Sequence, residues 1–248
     1  MPEITRLPYA GAHNMRCLGG HPLSVGGVTR ADAIWRGDAL QDLSAEDLDA
    51  ARARGLRRII DLRRDTEIDA APNPLADVAG VTYLNIPLFD GLAPIDHLPR
   101  AHADEFDIGA RYRMALDDCG ANIARTLRAI AEVEDDGIAY FHCTAGKDRT
   151  GLTAALLLEN AGVARQDVIA EYALTSTLGA SLMEVLRTHI EGRGNSPERT
   201  ARILSSDPAT MERTLDHLDT QHGGAATYLE TIGLDRAERV RLREMLGG

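Results

Sequence analysis

Apolar residues fall along this chain in two rhythms. Short, almost unbroken apolar runs, Arg58-Ile59-Ile60-Asp61-Leu62-Arg63, Val81-Thr82-Tyr83-Leu84-Asn85-Ile86 and Gly137-Ile138-Ala139-Tyr140-Phe141, are bounded by charge, proline or glycine. Runs of that length and β-prone composition predict strands buried in a sheet. Elsewhere the apolar residues recur at three- and four-residue steps. Tyr112, Leu116, Cys119, Ile123, Leu127 and Ile130 predict an amphipathic helix from Ala110 to Glu134, and the apolar stretch Thr150 to Asn160, stopped by Gly162, predicts a buried one. Ser44 ahead of Ala45-Glu46-Asp47, with Leu43 and Leu48 placed as a staple, predicts a helix over 45–54 that Gly55 ends. Ser196-Pro197, Asp207-Pro208 and Asp235-Arg236-Ala237-Glu238 open further helices, and Val25-Gly26-Gly27-Val28 predicts a hairpin. Residues 87 to 107 follow neither rhythm; they form either a lid carrying Asp90, Asp96 or Asp107 or a solvated connection.

Strands alternating with helices, then helices alone, predict an α/β fold: a central, mostly parallel sheet flanked by helices, with a C-terminal helical layer. At 248 residues one domain over 1–248 is expected, with residues 1–163 as the α/β core and 164–248 as its helical extension. The formal charge of -11 argues against nucleic acid and anionic membrane surfaces as main partners, because both need a basic footprint. No apolar run reaches membrane-span length, and Met1-Pro2-Glu3-Ile4 does not read as a signal peptide, so a cytoplasmic protein without integral membrane association is expected. Cys17, Cys119 and Cys143 have neither disulfide-framework nor structural-zinc spacing, and no metal or cofactor is called for.

The chemistry concentrates where the third strand meets the buried helix, at Phe141-His142-Cys143-Thr144-Ala145-Gly146-Lys147-Asp148-Arg149-Thr150. A strand feeding a short polar loop onto a helix N-terminus builds an anion site from inward-pointing amides and the positive end of the helix dipole. Cys143 stands at its mouth, where the same field favours the thiolate and aims a nucleophile at phosphorus. Arg149 offers a planar fork that matches two phosphate oxygens. Gly146 permits a backbone conformation costly for other residues, and Lys147 is the only lysine in the chain. Cys119 and Arg125 share the spacing of Cys143 and Arg149, but they lie in a helical run where six residues at about 100 degrees each put them on different faces. Spacing alone is therefore weak, and Cys119 reads as a core residue. A nucleotide P-loop is ruled out by Asp148 after Gly146-Lys147 and by Phe141 at the first glycine position.

Residues 142–150 resemble the signature loop of cysteine-dependent protein tyrosine phosphatases, and the Gly-Lys-Asp-Arg ending is similar to a bacterial subgroup with tyrosine, dual-specificity and phosphoinositide activity. Asn14-Met15-Arg16-Cys17-Leu18-Gly19-Gly20 resembles the opening motif of that subgroup, with Met15 for Phe and Cys17 for Asp. Ile34-Trp35-Arg36-Gly37 resembles the strand and arginine that follow, and Asp61-Leu62-Arg63, with Glu67 beyond, its Asp-Leu-Arg strand end. The resemblance implies a phosphocysteine on Cys143, phosphate held by Arg149 and the amides of Thr144, Ala145 and Gly146, and Thr150 helping the sulfur leave. His142 braces the loop, and Lys147 at the pocket rim admits additional phosphates. Asp61 and Arg63 are expected in the same crevice. Asp61 is the first candidate for general acid, Asp148 the second, with Asp90 and Asp107 as further choices. The expected substrates are phosphorylated proteins or phosphoinositides; a silent phosphate-binding module and a rhodanese-like sulfurtransferase are the alternatives.

Overall fold

A computed structural model describes residue 4, residues 6 to 90, residue 92 and residues 107 to 247. Asp96 and most of the 87–107 segment lie outside the described residues. Among the described residues, five strands form one sheet: β1 (Arg16–Cys17), β2 (Ile34–Gly37), β3 (Leu56–Asp61), β4 (Thr82–Asn85) and β5 (Ile138–His142), in the order β1-β2-β5-β3-β4. Only β1 runs antiparallel to its neighbour; the other pairs are parallel. β5 is therefore central, and Gly37 of β2 and Asp61 of β3 both stand in register with its last residue, His142. Three strand ends thus open at one level, the place where parallel sheets collect ligands.

Successive residues of each inner strand face opposite sides. Ile34, Ile60, Ala139 and Phe141 enter one core, and Trp35, Ile59, Ile138 and Tyr140 enter the other. The first core is closed by α3 (Ile108–Asp118), α4 (Gly120–Ala131), α5 (Asp148–Ala161), α6 (Arg165–Ala173), α10 (Pro208–His222), α11 (Gly224–Thr231) and α12 (Arg236–Met245). The second is closed by the N-terminal segment and α1 (Ala45–Ala53). Truncating a fully buried ring such as Phe141 would cost about 3–5 kcal/mol, since these interiors cannot collapse to fill the hole.

The expected caps form: Ser44 accepts from the Asp47 N–H, Pro197 and Pro208 sit at the first turns of α9 (Pro197–Leu204) and α10, and Asp235 with Glu238 makes a reciprocal box. Two expectations are corrected. The helix expected over Ala110–Glu134 is broken at Cys119, whose backbone leaves the helical region at φ -108° and ψ 19°, and at Gly120 beyond it a Cβ would lie 2.8 Å from Ile232 Cγ2. The hairpin at Val25–Val28 reduces to a single bridge between Pro22 and Val28, its turn built on positive φ at Gly26 and Gly27. The short helix α2 (Asp65–Ala70) follows no apolar period in the sequence, and α7 (Thr175–Leu178) and α8 (Ala180–Gly192) belong to the C-terminal helical layer. Among the described residues, no helix is long and apolar enough to cross a membrane.

Candidate active site

The loop from Cys143 to Lys147 leaves β5 and runs directly into α5, whose first residue is Asp148. Its carbonyls are all turned away from the loop's centre. That of Cys143 faces His142 Nδ1 at 3.1 Å, and that of Thr144 accepts from the Ala39 N–H at 3.2 Å. Asn14 Nδ2 donates to Ala145 O at 2.9 Å and to Gly146 O at 3.2 Å, and the Arg36 guanidinium also reaches Gly146 O. Among the described residues, the N–H groups of Thr144, Ala145, Gly146 and Lys147 donate to no protein group. A loop with its acceptors satisfied outside and its donors open, ahead of a helix N-terminus, is a cradle for an anion. Gly146 makes the turn possible: its φ is +67°, and a Cβ would lie 2.4 Å from the carbonyl carbon of Gly37.

Beneath the loop lies a buried charged network. Arg16 Nε and Arg36 NH1 each meet a different oxygen of Glu171, both at 2.7 Å, and Arg16 NH1 donates to Asn14 Oδ1 at 2.6 Å. Asp38 fixes the start of that segment by accepting from the N–H groups of His13 and Asn14, both at 2.8 Å. Burial and the neighbouring Arg36 charge bring the Arg16 pKa down to about 10. Burial would raise the Glu171 carboxyl, but the two guanidiniums outweigh it and hold it ionised. Asn14, Arg16 and Arg36 stand out in the sequence; Glu171 does not. Its one signal is a glutamate on the buried face of α6, beside Val168 and Tyr172.

Cys143 is 1% exposed, and Arg149 follows one residue after Asp148 in the first turn of α5. Arg149 meets Glu67 of α2 fork to fork, and Thr144 Oγ1 donates to the same carboxylate. Burial works against that carboxylate, yet Arg149 holds its pKa at about 2. Thr150 Oγ1 is buried and has no hydrogen-bond partner among the described residues. His142 is buried, which lowers its pKa and leaves the ring neutral. Since its Nδ1 faces a carbonyl, the proton belongs there, and Nε2 accepts from Asn73 Nδ2 at 3.2 Å.

The carboxylates part company. Asp61, the first expected acid, is fully buried and turned from the loop: Arg63 Nε and NH2 hold it at 2.9 and 2.7 Å, and Tyr83 O–H donates to it at 2.9 Å. Burial would raise it, but the hydrogen bonds and charge of Arg63 keep it below the ordinary carboxylate range. Arg63, buried with it, also donates to Ala71 O at 2.8 Å, so neither residue reaches the crevice as expected. Asp148 instead sits at the loop's edge with a 25% exposed side chain, its Oδ1 accepting from Tyr112 O–H at 2.6 Å. Tyr112 in turn meets Tyr172 O–H at 3.0 Å. Asp107 caps α3 through the Gly109 N–H and pairs with Arg113, and exposed Asp90 has, among the described residues, only a backbone turn contact, at Pro87.

Lys147 corrects a further expectation. Its side chain is buried, and its ammonium donates to Ile203 O and, at 3.0 Å, to Ser205 O, closing the C-terminal end of α9. It is not an open charge on the rim. Ala145 packs with Met183 of α8 and Leu204 of α9, so the two helices rest on the loop's outer side.

Comparison with known proteins agrees with this geometry. The chain is 30% identical over 233 residues to a tyrosine-protein phosphatase of Nostoc commune, covering 88% of this chain and 75% of that one. It is 29% identical over 246 residues to a candidate tyrosine-protein phosphatase of Cupriavidus necator, covering 94% and 86%. A shorter match, 30% over 118 residues and 43% of each chain, is to the triple specificity protein phosphatase PtpB of Mycobacterium tuberculosis. A family model described as the tyrosine phosphatase family matches residues 7–247, and the chain, over nearly its whole length, belongs to that family.

Proposed function

We propose that this phosphatase hydrolyses phosphomonoesters through a phosphocysteine on Cys143. The observation that carries the reading is the open row of four amides from Thr144 to Lys147 beside that thiol. The phosphate enters with its equatorial oxygens on those amides and on Arg149. Arg149 Nε has no hydrogen-bond partner among the described residues, and NH2 has only a long 3.4 Å contact with Thr144 beyond Glu67. The sulfur attacks phosphorus, the ester P–O bond breaks, and the leaving oxygen takes a proton from the carboxylic acid of Asp148. Water then attacks phosphorus while the Asp148 carboxylate takes its proton. The P–S bond breaks, and the thiolate departs with the unpaired hydroxyl of Thr150 as its donor. His142 stays neutral and braces the loop by its ring.

Phosphotyrosine proteins are the first substrates to test, followed by phosphoserine and phosphothreonine proteins and phosphoinositides. The triple specificity of the mycobacterial relative supports the wider panel. We read the C-terminal helices as part of the same unit, because Glu171 and Ser205 serve the loop directly. The chemistry needs a reduced thiol, which suits the cytoplasm as the place of action. Rapid acid quench with a 32P-labelled aryl phosphate should trap label on wild-type protein, and Cys143→Ser should abolish both the label and turnover. Full turnover by Cys143→Ser would refute the mechanism.

A further inference from the structure

Asp117, His217 and His222 come together on the side of the molecule formed by α3 and α10. The two helices run parallel: Gly109 at the start of α3 faces Thr210 of α10, and Asp117 near the end of α3 faces His217. His222 closes α10 one residue before the left-handed Gly223. Both histidines direct the same atom, Nε2, at the same carboxylate oxygen, Asp117 Oδ1, each at 2.8 Å. Oδ2 of Asp117 has no hydrogen-bond partner among the described residues. One metal-ligating atom from each of the three residues, the two Nε2 and a carboxylate oxygen, thus lies within 4.8 Å of the others.

The cluster is held in place. The His222 ring meets the His217 ring at 5.5 Å and the Tyr228 ring at 5.0 Å, both edge to face. Tyr228 is buried and its O–H donates to Leu116 O at 2.9 Å, which ties the group to the residue beside Asp117. Solvent reaches the group, since the two imidazoles are 20% and Asp117 43% exposed. We propose that Asp117, His217 and His222 bind a late first-row divalent cation, Zn2+ foremost, which ties α3 to α10.

The donor set is chemically suited to that ion. Two neutral imidazoles and one carboxylate are borderline ligands, matched to Zn2+ rather than to Mg2+ or Ca2+, which require mostly oxygen. Zn–N and Zn–O bonds of about 2.0–2.2 Å at tetrahedral angles separate neighbouring ligand atoms by about 3.3 Å. The 2.8 Å separations therefore need to open by about half an ångström, which rotation of the exposed Asp117 carboxylate supplies. Water would complete the fourth position. No short spacing motif announces the site, because a hundred residues separate Asp117 from His217.

The test uses full-length Cys143→Ser protein, so that the active-site thiolate cannot supply a ligand, stripped of metal with a chelator. Calorimetric titration with Zn2+ should show one equivalent bound, together with a rise in melting temperature. His217→Ala and His222→Ala should each weaken binding about a hundredfold, and Asp117→Asn, which keeps an acceptor for the imidazoles, about tenfold. Co2+ in place of Zn2+ should give visible bands without sulfur charge transfer. No uptake of Zn2+, or unchanged affinity in the Asp117→Asn and His217→Ala proteins with native circular dichroism, would overturn the site.

Discussion

Glu67 holds Arg149 by two bonds of one fork, Oε2 to NH1 at 2.6 Å and Oε1 to NH2 at 2.8 Å. The guanidinium plane is thereby set before any phosphate arrives, with Leu62 O fixing NH1 from the other side at 3.2 Å. Glu67→Gln should lower kcat/KM on an aryl phosphate by about ten- to a hundredfold, because a misplaced fork loses oriented binding. The carboxylate also leaves a pH signature. Its pKa is about 2 in the folded protein against an ordinary 4.5, so its contribution is complete above about pH 4.5 and lost as pH falls toward 2. The contribution is up to about 3 kcal/mol. Chemical denaturation of wild type and Glu67→Gln should therefore differ most above pH 4.5 and converge in acid; a constant gap would refute the pairing.

Asp148 and Asp61 are separated by leaving-group dependence. If Asp148 supplies the proton, Asp148→Asn should slow hydrolysis of phenyl phosphate on the order of a hundredfold while sparing esters whose leaving oxygen is already a good anion. Tyr112→Phe removes the 2.6 Å donor that orients Asp148 and should lower kcat on phenyl phosphate with KM nearly unchanged. Asp61→Asn should instead lower stability, since it leaves Arg63 buried without its partner. An Asp61→Asn protein of normal stability with the leaving-group signature would reverse the assignment.

The sequence shows the sheet, the loop and the caps because each depends on neighbours in the chain. Cys143 stands out through the strand before it and the helix after it. The contacts that give the site its geometry do not, even where Asn14, Arg16 and Arg36 stand out as residues, since they join distant segments. Glu171 lies 155 residues from Arg16, and Asn14 reaches Ala145 O across 131. Asp61 misleads for the opposite reason: it does end its strand, but Arg63 two residues on turns its carboxylate inward. The break at Cys119 interrupts no apolar period, since Leu116, Cys119 and Ile123 are buried on both sides of it.

Glu171→Gln tests the network beneath the loop. Arg16 and Arg36 would share a neutral partner in a dry interior, and uncompensated buried charge costs about 3–5 kcal/mol. Urea denaturation should show a loss of that size, together with weaker inhibition by inorganic phosphate. A loss below about 1 kcal/mol would place the charges in water rather than under the loop.

Gly146→Ala tests the turn itself. Its methyl group would lie 2.4 Å from the Gly37 carbonyl carbon and 2.7 Å from the Asp38 nitrogen, both backbone atoms that cannot rotate away. The loop must then open, and its amides lose their common focus. Vanadate affinity should fall by at least about tenfold, with retained affinity as the contrary result.

Lys147 distinguishes a rim charge from a structural tie. Its ammonium closes the C-terminal end of α9 through Ile203 O and Ser205 O, and its Nζ stands 3.4 Å from Asp148. Lys147→Met keeps the buried stem while leaving those carbonyls without a donor, a loss of about 1–3 kcal/mol. Melting temperature should fall accordingly. The ratio of kcat/KM for a phosphoinositide to that for an aryl phosphate should stay unchanged, because both substrates meet the same loop. A selective loss of phosphoinositide activity, with melting unaffected, would return Lys147 to the pocket rim.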